Sequence, residues 1–290
     1  MILIDYLQHN PIVFLIYIGL LGLIIGSFLN VVIYRLPTMM EQDWREQCLE
    51  FLKQNNAKDK PRLTLSKPRS SCPQCSRPIK AIENIPVISY LFLKGRCSGC
   101  GTPISIRYPL IELTTCVLSL VVAWHFGVNS QTAAALVLTW ALIALSMIDF
   151  NHKLLPDTIT LPFLWLGLLL SIWGTFTDPQ SAIIGATAGY LSLWSIFHIF
   201  RLLTGKEGMG YGDFKLLALF GAWLGWQALP QIIMLSSLVG AMIGLTLILA
   251  LGRDRNIPIP FGPYLAVAGW ISMLWGGQIN QAYLNWAGIQ

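Results

Sequence analysis

Charge is what this sequence has least of. Of 290 residues, 11% are charged and 54% are hydrophobic. A soluble globular chain carries about 25% charged residues, so there are too few here to cover the surface of a soluble fold. Intrinsic disorder is excluded from the other side, because it needs low hydrophobicity and high net charge. Lys and Arg are absent from residues 1–10, so the basic n-region of a signal peptide is missing ahead of the first apolar run. That run is long and continues as GSFLNVVIYRLP (26–37), without a small-residue cleavage site. It is therefore read as a retained helix. No glycine fingerprint of a dinucleotide or P-loop site follows a strand. No serine or cysteine is paired with a base in a recognisable motif, which argues against a covalent nucleophile. His125, His152 and His198 stand alone, without triad or ligand spacing, and read as structural.

What remains is apolar sequence in long blocks. A bilayer core needs about 20 apolar residues per helix, and eight candidate segments meet or approach that, near 12–33, 109–126, 132–150, 158–175, 181–203, 214–229, 231–251 and 261–279. The expected fold is an all-α polytopic membrane protein with about eight transmembrane helices and a small cytoplasmic zinc-binding loop domain. The expected division is a first transmembrane helix at 1–33, the zinc-binding domain at 34–108 and a membrane domain at 109–290.

The few charges are unevenly placed. Residues 34–108 hold 13 of the 19 basic residues and six of the 14 acids, a net of +7. The rest of the chain has six basic residues and eight acids, a net of −2, and the two add to the overall +5. With eight spans, alternate connections share a side. One side then carries 34–108, Lys153, Arg201, Lys206, Lys215, Arg253 and Arg255, which is every basic residue in the chain. Cytoplasmic loops are the ones enriched in Lys and Arg. This side is therefore expected to be cytoplasmic and both termini to lie outside it. Topology accounts for the positive charge, and nucleic-acid binding is not expected.

The basic loop contains Cys72-Pro-Gln-Cys75 and Cys97-Ser-Gly-Cys100, with 21 residues between the pairs. Two C-x-x-C pairs at such a separation point to zinc. Each tight turn offers two thiolates, and two turns complete a tetrahedron. Two disulfides or a thioredoxin-like redox motif are the alternatives, but structural disulfides are rare in a reducing cytoplasm. With four protein ligands such a site is closed, so its role is structural. Cys48 and Cys116 have no partner motif and read as free thiols.

Ionisable groups in a membrane span are costly and are functional candidates by default. Asp149 ends the apolar run ALIALSMIDF (141–150), and Asp213 opens the sixth segment within GMGYGDFKLL (208–217). Both fall at cytoplasmic helix ends. Two carboxylates at one depth can share a proton, so that one acts as base on a water while the other polarises a carbonyl. The competing readings are a headgroup-zone acid for Asp149 and a helix N-cap for Asp213. Asp157, after Leu155-Pro156, reads best as an N-cap. Asp5, Asp178 and Asp254 read as solvated. Glu112 sits one turn into the second segment and could pair with a cation or line a substrate groove.

Taken together, GSFLNVVIYRLP (26–37), CPQC (72–75), CSGC (97–100), RYPLIE (107–112), IDF…LLPD (148–157), GMGYGDFKL (208–216) and PFGP (260–263) resemble the bacterial prepilin peptidases, also called type IV prepilin leader peptidases. The matches run across most of the chain in family order. G-x-G-D alone is shared with presenilin-like proteases, but the cysteine pairs add specificity. The resemblance implies an inner-membrane aspartic endopeptidase, with Asp149 and Asp213 catalytic. It cleaves the basic leader of type IV prepilins and type II secretion pseudopilins after a glycine. The resemblance also implies N-methylation of the new terminal residue, usually Phe, with S-adenosylmethionine as donor. A basic leader would favour acidic groups, and Glu112, Asp157 and Glu207 are the candidates. The donor site is not readable; Gly26–Arg35 and the cysteine loop are its candidate walls by elimination. Other readings are a signal-peptide protease, which needs no cysteine knuckles, a proton-coupled transporter, which would place acids near mid-membrane, and a non-catalytic scaffold for pilus assembly.

Overall fold

The computed structural model describes residues 2–53, 63–206, 208–252 and 259–288. Glu207 and the loop residues Arg253, Asp254 and Arg255 lie outside the described residues. The fold is helical, and the described residues contain no strand beyond two isolated β-bridges, Ser71 with Pro78 and Arg96 with Pro103. In chain order the α-helices are α1 (Ile2–His9), α2 (Pro11–Phe51), α3 (Ile88–Phe92), α4 (Arg107–Phe126) and α5 (Ser130–His152), followed by α6 (Asp157–Ser171), α7 (Pro179–Thr204), α8 (Tyr211–Leu224), α9 (Leu229–Leu251) and α10 (Gly262–Trp286). Each of the eight apolar segments coincides with a helix from this set. Five helices among the described residues, α2, α4, α5, α7 and α9, are long and apolar enough to cross a membrane, and α6 is a shorter apolar helix.

Helix ends follow local chemistry. Asp178 caps α7 by accepting from the Ser181 amide at 2.9 Å, with Pro179 in the first turn, where its missing N–H costs nothing. α8 stops at Gly225, whose φ of +81° ends the helix four residues before the expected limit of that segment. α2 departs further from expectation. It does not end near residue 33 but runs 41 residues, through Pro37, to Phe51. Its second half, MEQDWREQCLEF (40–51), is charged and looks like loop by hydropathy, yet it is helical to its end.

The chain forms two compact units, Met1–Ala144 and Leu145–Gln290. In the first, α2 packs on α4 along glycines. A Cβ on Gly26 would lie 2.7 Å from the Glu112 Cα, so only glycine permits this crossing. Small residues that let backbones approach are the usual means of packing helices in a membrane, where lipid removes the hydrophobic drive. Trp140 of α5 joins this pair, donating its indole N–H to the Ser119 hydroxyl at 2.9 Å.

In the second unit α8 is the core. Phe214, Leu216, Leu217, Leu219, Phe220 and Trp223 are at most 1% exposed, so this helix is buried all round. α6, α7 and α10 surround it. Gly221 and Gly185 bring α8 against α7, where a Cβ on Gly221 would stand 2.1 Å from the Gly185 carbonyl oxygen. Trp223 donates to the Phe163 carbonyl at 2.8 Å, tying α8 to α6.

Candidate active site

Asp149 lies in the last turn of α5 and Asp213 in the first turn of α8, and each is 6% exposed. Leu155 links their surroundings, since it packs against Gly212 next to Asp213 and against Gly262, which lies on Asp149 Oδ2. Asp213 does not cap its helix. Gly210 holds the N-cap position, and the Asp213 amide donates back to its carbonyl at 3.2 Å, which leaves the Asp213 side chain free of a capping duty. The first turn of α8 is fixed by aromatic packing: Phe197 of α7 lies 5.3 Å from Tyr211 and 5.6 Å from Phe214, centroid to centroid.

Asp149 has one hydrogen-bond partner that sequence reasoning did not find. The amide of Gly262, at the start of α10, donates to its Oδ2 at 3.0 Å. PFGP stands out as a motif, but a contact across 113 residues leaves no periodic signal. Leu155 fills the space beneath both glycine segments; a Cβ on Gly212 would meet its Cβ at 2.7 Å, and one on Gly262 its Cδ1 at 3.2 Å. The turn 153–157 thus acts as a spacer below the two carboxylates.

Asp157 is not an N-cap. Pro156 occupies that position without a side-chain bond, because proline carries no acceptor there, and Asp157 is the first helical residue. Both its oxygens accept from the Lys215 ammonium at 2.7 Å, two residues beyond Asp213. The pair is partly exposed, 28% at Lys215 and 52% at Asp157, so it is worth at most about 1 kcal/mol. Glu112 is 8% exposed and accepts from the Val87 amide at 2.8 Å through Oε2. It therefore anchors the cysteine loop onto α4. Two residues of α2 add further ties, Asn30 to α4 and Arg35 to the loop. Asn30 donates to the Tyr108 carbonyl at 3.1 Å, and Arg35, 8% exposed, donates to the carbonyls of Thr64 at 2.8 Å and Pro68 at 2.7 Å.

The four loop cysteines come together. Their sulfurs all lie within 4.8 Å of one another, and Cys72 Sγ and Cys100 Sγ are 3.7 Å apart. Sulfurs placed tetrahedrally at about 2.3 Å from one ion stand about 3.8 Å apart, so the cluster has the dimensions of a metal site. All four are free thiols, which sets aside the disulfide alternative. The two knuckles repeat one design. Cys72 N bonds Arg77 O at 3.0 Å and Ser76 N bonds Cys72 O at 2.9 Å; in the second, Cys97 N bonds Thr102 O at 2.8 Å and Gly101 N bonds Cys97 O at 2.9 Å. Residues 72–79 and 97–104 share the pattern C-x-x-C-x-x-P-I. Hydrogen bonds from Thr102 hold the Cys100 thiol down at about 6, while burial and the neighbouring thiols push Cys75 up to about 11. Glu83 joins the knuckles: it accepts from Ser98 Oγ at 2.5 Å, from the Lys80 amide at 2.9 Å and from Arg77 at 2.9 Å. These bonds hold its carboxyl down at about 2.

Known proteins match both units. Residues 20–126 match the bacterial peptidase A24 N-terminal domain, and residues 136–245 match the type IV leader peptidase family. A Pseudomonas aeruginosa protein named prepilin leader peptidase/N-methyltransferase is 53% identical over 288 residues, 99% of each chain. The chain belongs to the type IV leader peptidase family. Proteins of the same name from Aeromonas hydrophila and Legionella pneumophila are 54% identical over 98% of each chain and 46% identical over 93% of this chain and 94% of theirs. No solved structure matches it. With its long apolar helices this member of the family is a multi-pass membrane protein.

Proposed function

We propose that the protein cleaves the leader of type IV prepilins and pseudopilins after a glycine, by water attack, with Asp149 and Asp213 as the acid–base pair. The observation that carries this reading is the convergence of two buried carboxylates from separate helix ends, one of them oriented by the Gly262 amide. One carboxylate takes the proton of the attacking water. The other, protonated, donates to the scissile carbonyl oxygen and takes that proton back as the gem-diol collapses, while the first passes the water's proton to the leaving amine. No acyl-enzyme forms. The Gly262 N–H holds one oxygen of Asp149, leaving the other for the water.

In this reading the ends of α5 and α8 that carry the pair face the cytoplasm of an inner-membrane protein, and both termini are periplasmic. A prepilin's apolar helix lies beside the spans while its basic leader stays in the cytoplasm, so the scissile bond arrives at the depth of the carboxylates. Asp157 and Glu207 are the acidic groups offered to the leader, whereas Glu112 is buried and occupied by the Val87 amide. Cys72, Cys75, Cys97 and Cys100 would hold Zn²⁺, which supplies a structural crosslink to the segment 34–108. The second activity is N-methylation, the one the relatives' names carry, acting on the new terminal residue, usually Phe, with S-adenosylmethionine as the methyl donor. Asp149→Asn and Asp213→Asn, each assayed on a purified prepilin, test the reading. Both should lose cleavage; a normal rate in either overturns the assignment.

A further inference from the structure

Between the two knuckles lies an apolar surface that neither the cysteine cluster nor the carboxylate pair uses. Ile82 is 77% exposed, Leu91 68% and Phe92 84%, with Ile85 and Ile88 also exposed between them. Scattered exposed apolar residues need no explanation, but a contiguous patch marks a contact surface.

The height of this patch identifies what it contacts. Val87 is tied through its amide to Glu112 at 2.8 Å, and α3 starts at the next residue. Glu112 is five residues inside α4, which begins at Arg107, and so lies about 7.5 Å along the helix. The 20 residues of α4 extend about 30 Å, the thickness of the hydrocarbon core. α4 thus has no length to spare, and Arg107 marks the core boundary. A helical side chain leans toward the helix N-terminus, which brings the Glu112 carboxylate, and Val87 with it, within a few ångströms of that boundary. Ile88–Phe92 therefore starts at the level of the headgroups rather than in free water. The flanking charges agree. Lys80, Lys94 and Arg96 are exposed around the patch, and its one acid, Glu83, is spent on Arg77.

We propose that residues 82–92 form an interfacial segment, with Ile88, Leu91 and Phe92 among the acyl chains of the adjacent leaflet and Lys94 and Arg96 on anionic headgroups. Amphipathic segments of this kind sit about 5–10 Å into the headgroup boundary. The inference rests on α4 being a membrane span and is independent of which residues perform the proteolysis.

The test is photo-crosslinking of the full-length protein in vesicles of phosphatidylglycerol and phosphatidylethanolamine. The photoreactive residue p-benzoylphenylalanine replaces Phe92 in one sample and Gln74, exposed on the first knuckle, in another. Lipid adducts should form at position 92 at least about fivefold above position 74, as a buried interfacial side chain requires. Equal yields would overturn the proposal. So would adducts that form only when a prepilin is added and join the two proteins, since the patch would then be a substrate groove. Prepilin cleavage by the same samples reports separately on the carboxylate pair.

Discussion

Replacing Gly262 by alanine should disable the carboxylate pair without disturbing the fold. Gly262 does not use a positive φ, and it opens α10, where alanine is a better helix former than glycine. The backbone therefore accepts the change, and any defect must come from the added methyl. That Cβ would stand 2.6 Å from Asp149 Oδ2 and 3.2 Å from its Cγ. Real Cβ atoms do not approach within 3.0 Å, so the carboxylate must retreat by at least about 0.4 Å, and the 3.0 Å bond from the Gly262 amide breaks or bends. A hydrogen bond to a charged group is worth about 1.5–3 kcal/mol. If the whole of that is lost in orienting Asp149, cleavage falls roughly 10- to 150-fold. The assay is kcat/KM on a purified prepilin, with thermal unfolding followed in parallel. Gly277→Ala is the control, because it lies in the same helix and a Cβ there meets nothing within 4 Å. A Gly262→Ala enzyme that cleaves at the rate of the Gly277→Ala enzyme would refute the role given to this amide.

Other outcomes follow from the same geometry. Gly212→Ala should slow cleavage by pressing on Leu155, and Leu155→Ala in the same chain should restore part of the rate, measured as kcat/KM. Breaking the partly exposed Asp157–Lys215 pair with Lys215→Met should change stability by less than about 1 kcal/mol. Asp157→Lys should weaken processing of a basic leader more than of a neutralised one, and equal effects on both leaders would remove Asp157 from recognition. Cys72→Ser should abolish stoichiometric zinc, read by metal analysis, and should damage methylation more than cleavage. Glu83→Ala leaves the four thiols in place but removes the acceptor that ties the knuckles, so zinc loss to a chelator should rise by about tenfold, the order seen for outer-shell partners.

The membrane segments and the cysteine cluster were legible because their signals are local or strongly spaced. Hydropathy marks an apolar run without reference to its neighbours, and two C-x-x-C turns have few uses. The continuation of α2 past Pro37 was not legible, since its charged second half is apolar neither in total nor on a wide face. The Gly262 amide and the Asp157–Lys215 pair join residues 113 and 58 positions apart, and nothing in either segment alone announces the other. Asp157 misled for a simpler reason. An acid before an apolar run is a good N-cap signal, but here proline takes the cap position and the acid becomes the first helical residue.

The length of α6 has a consequence for the membrane itself. At 15 residues it extends only about 23 Å, against a hydrocarbon core of about 30 Å. A bilayer meeting a short apolar height thins to match it. Leu161, Trp165 and Leu169 of α6 are exposed to that lipid, so the thinning falls beside the helix that carries Asp213. Headgroups and their hydration layer are drawn inward at this point. A hydrolase among lipids must obtain water as well as peptide, and one stunted helix beside α8 lowers the solvent toward the proposed carboxylate pair.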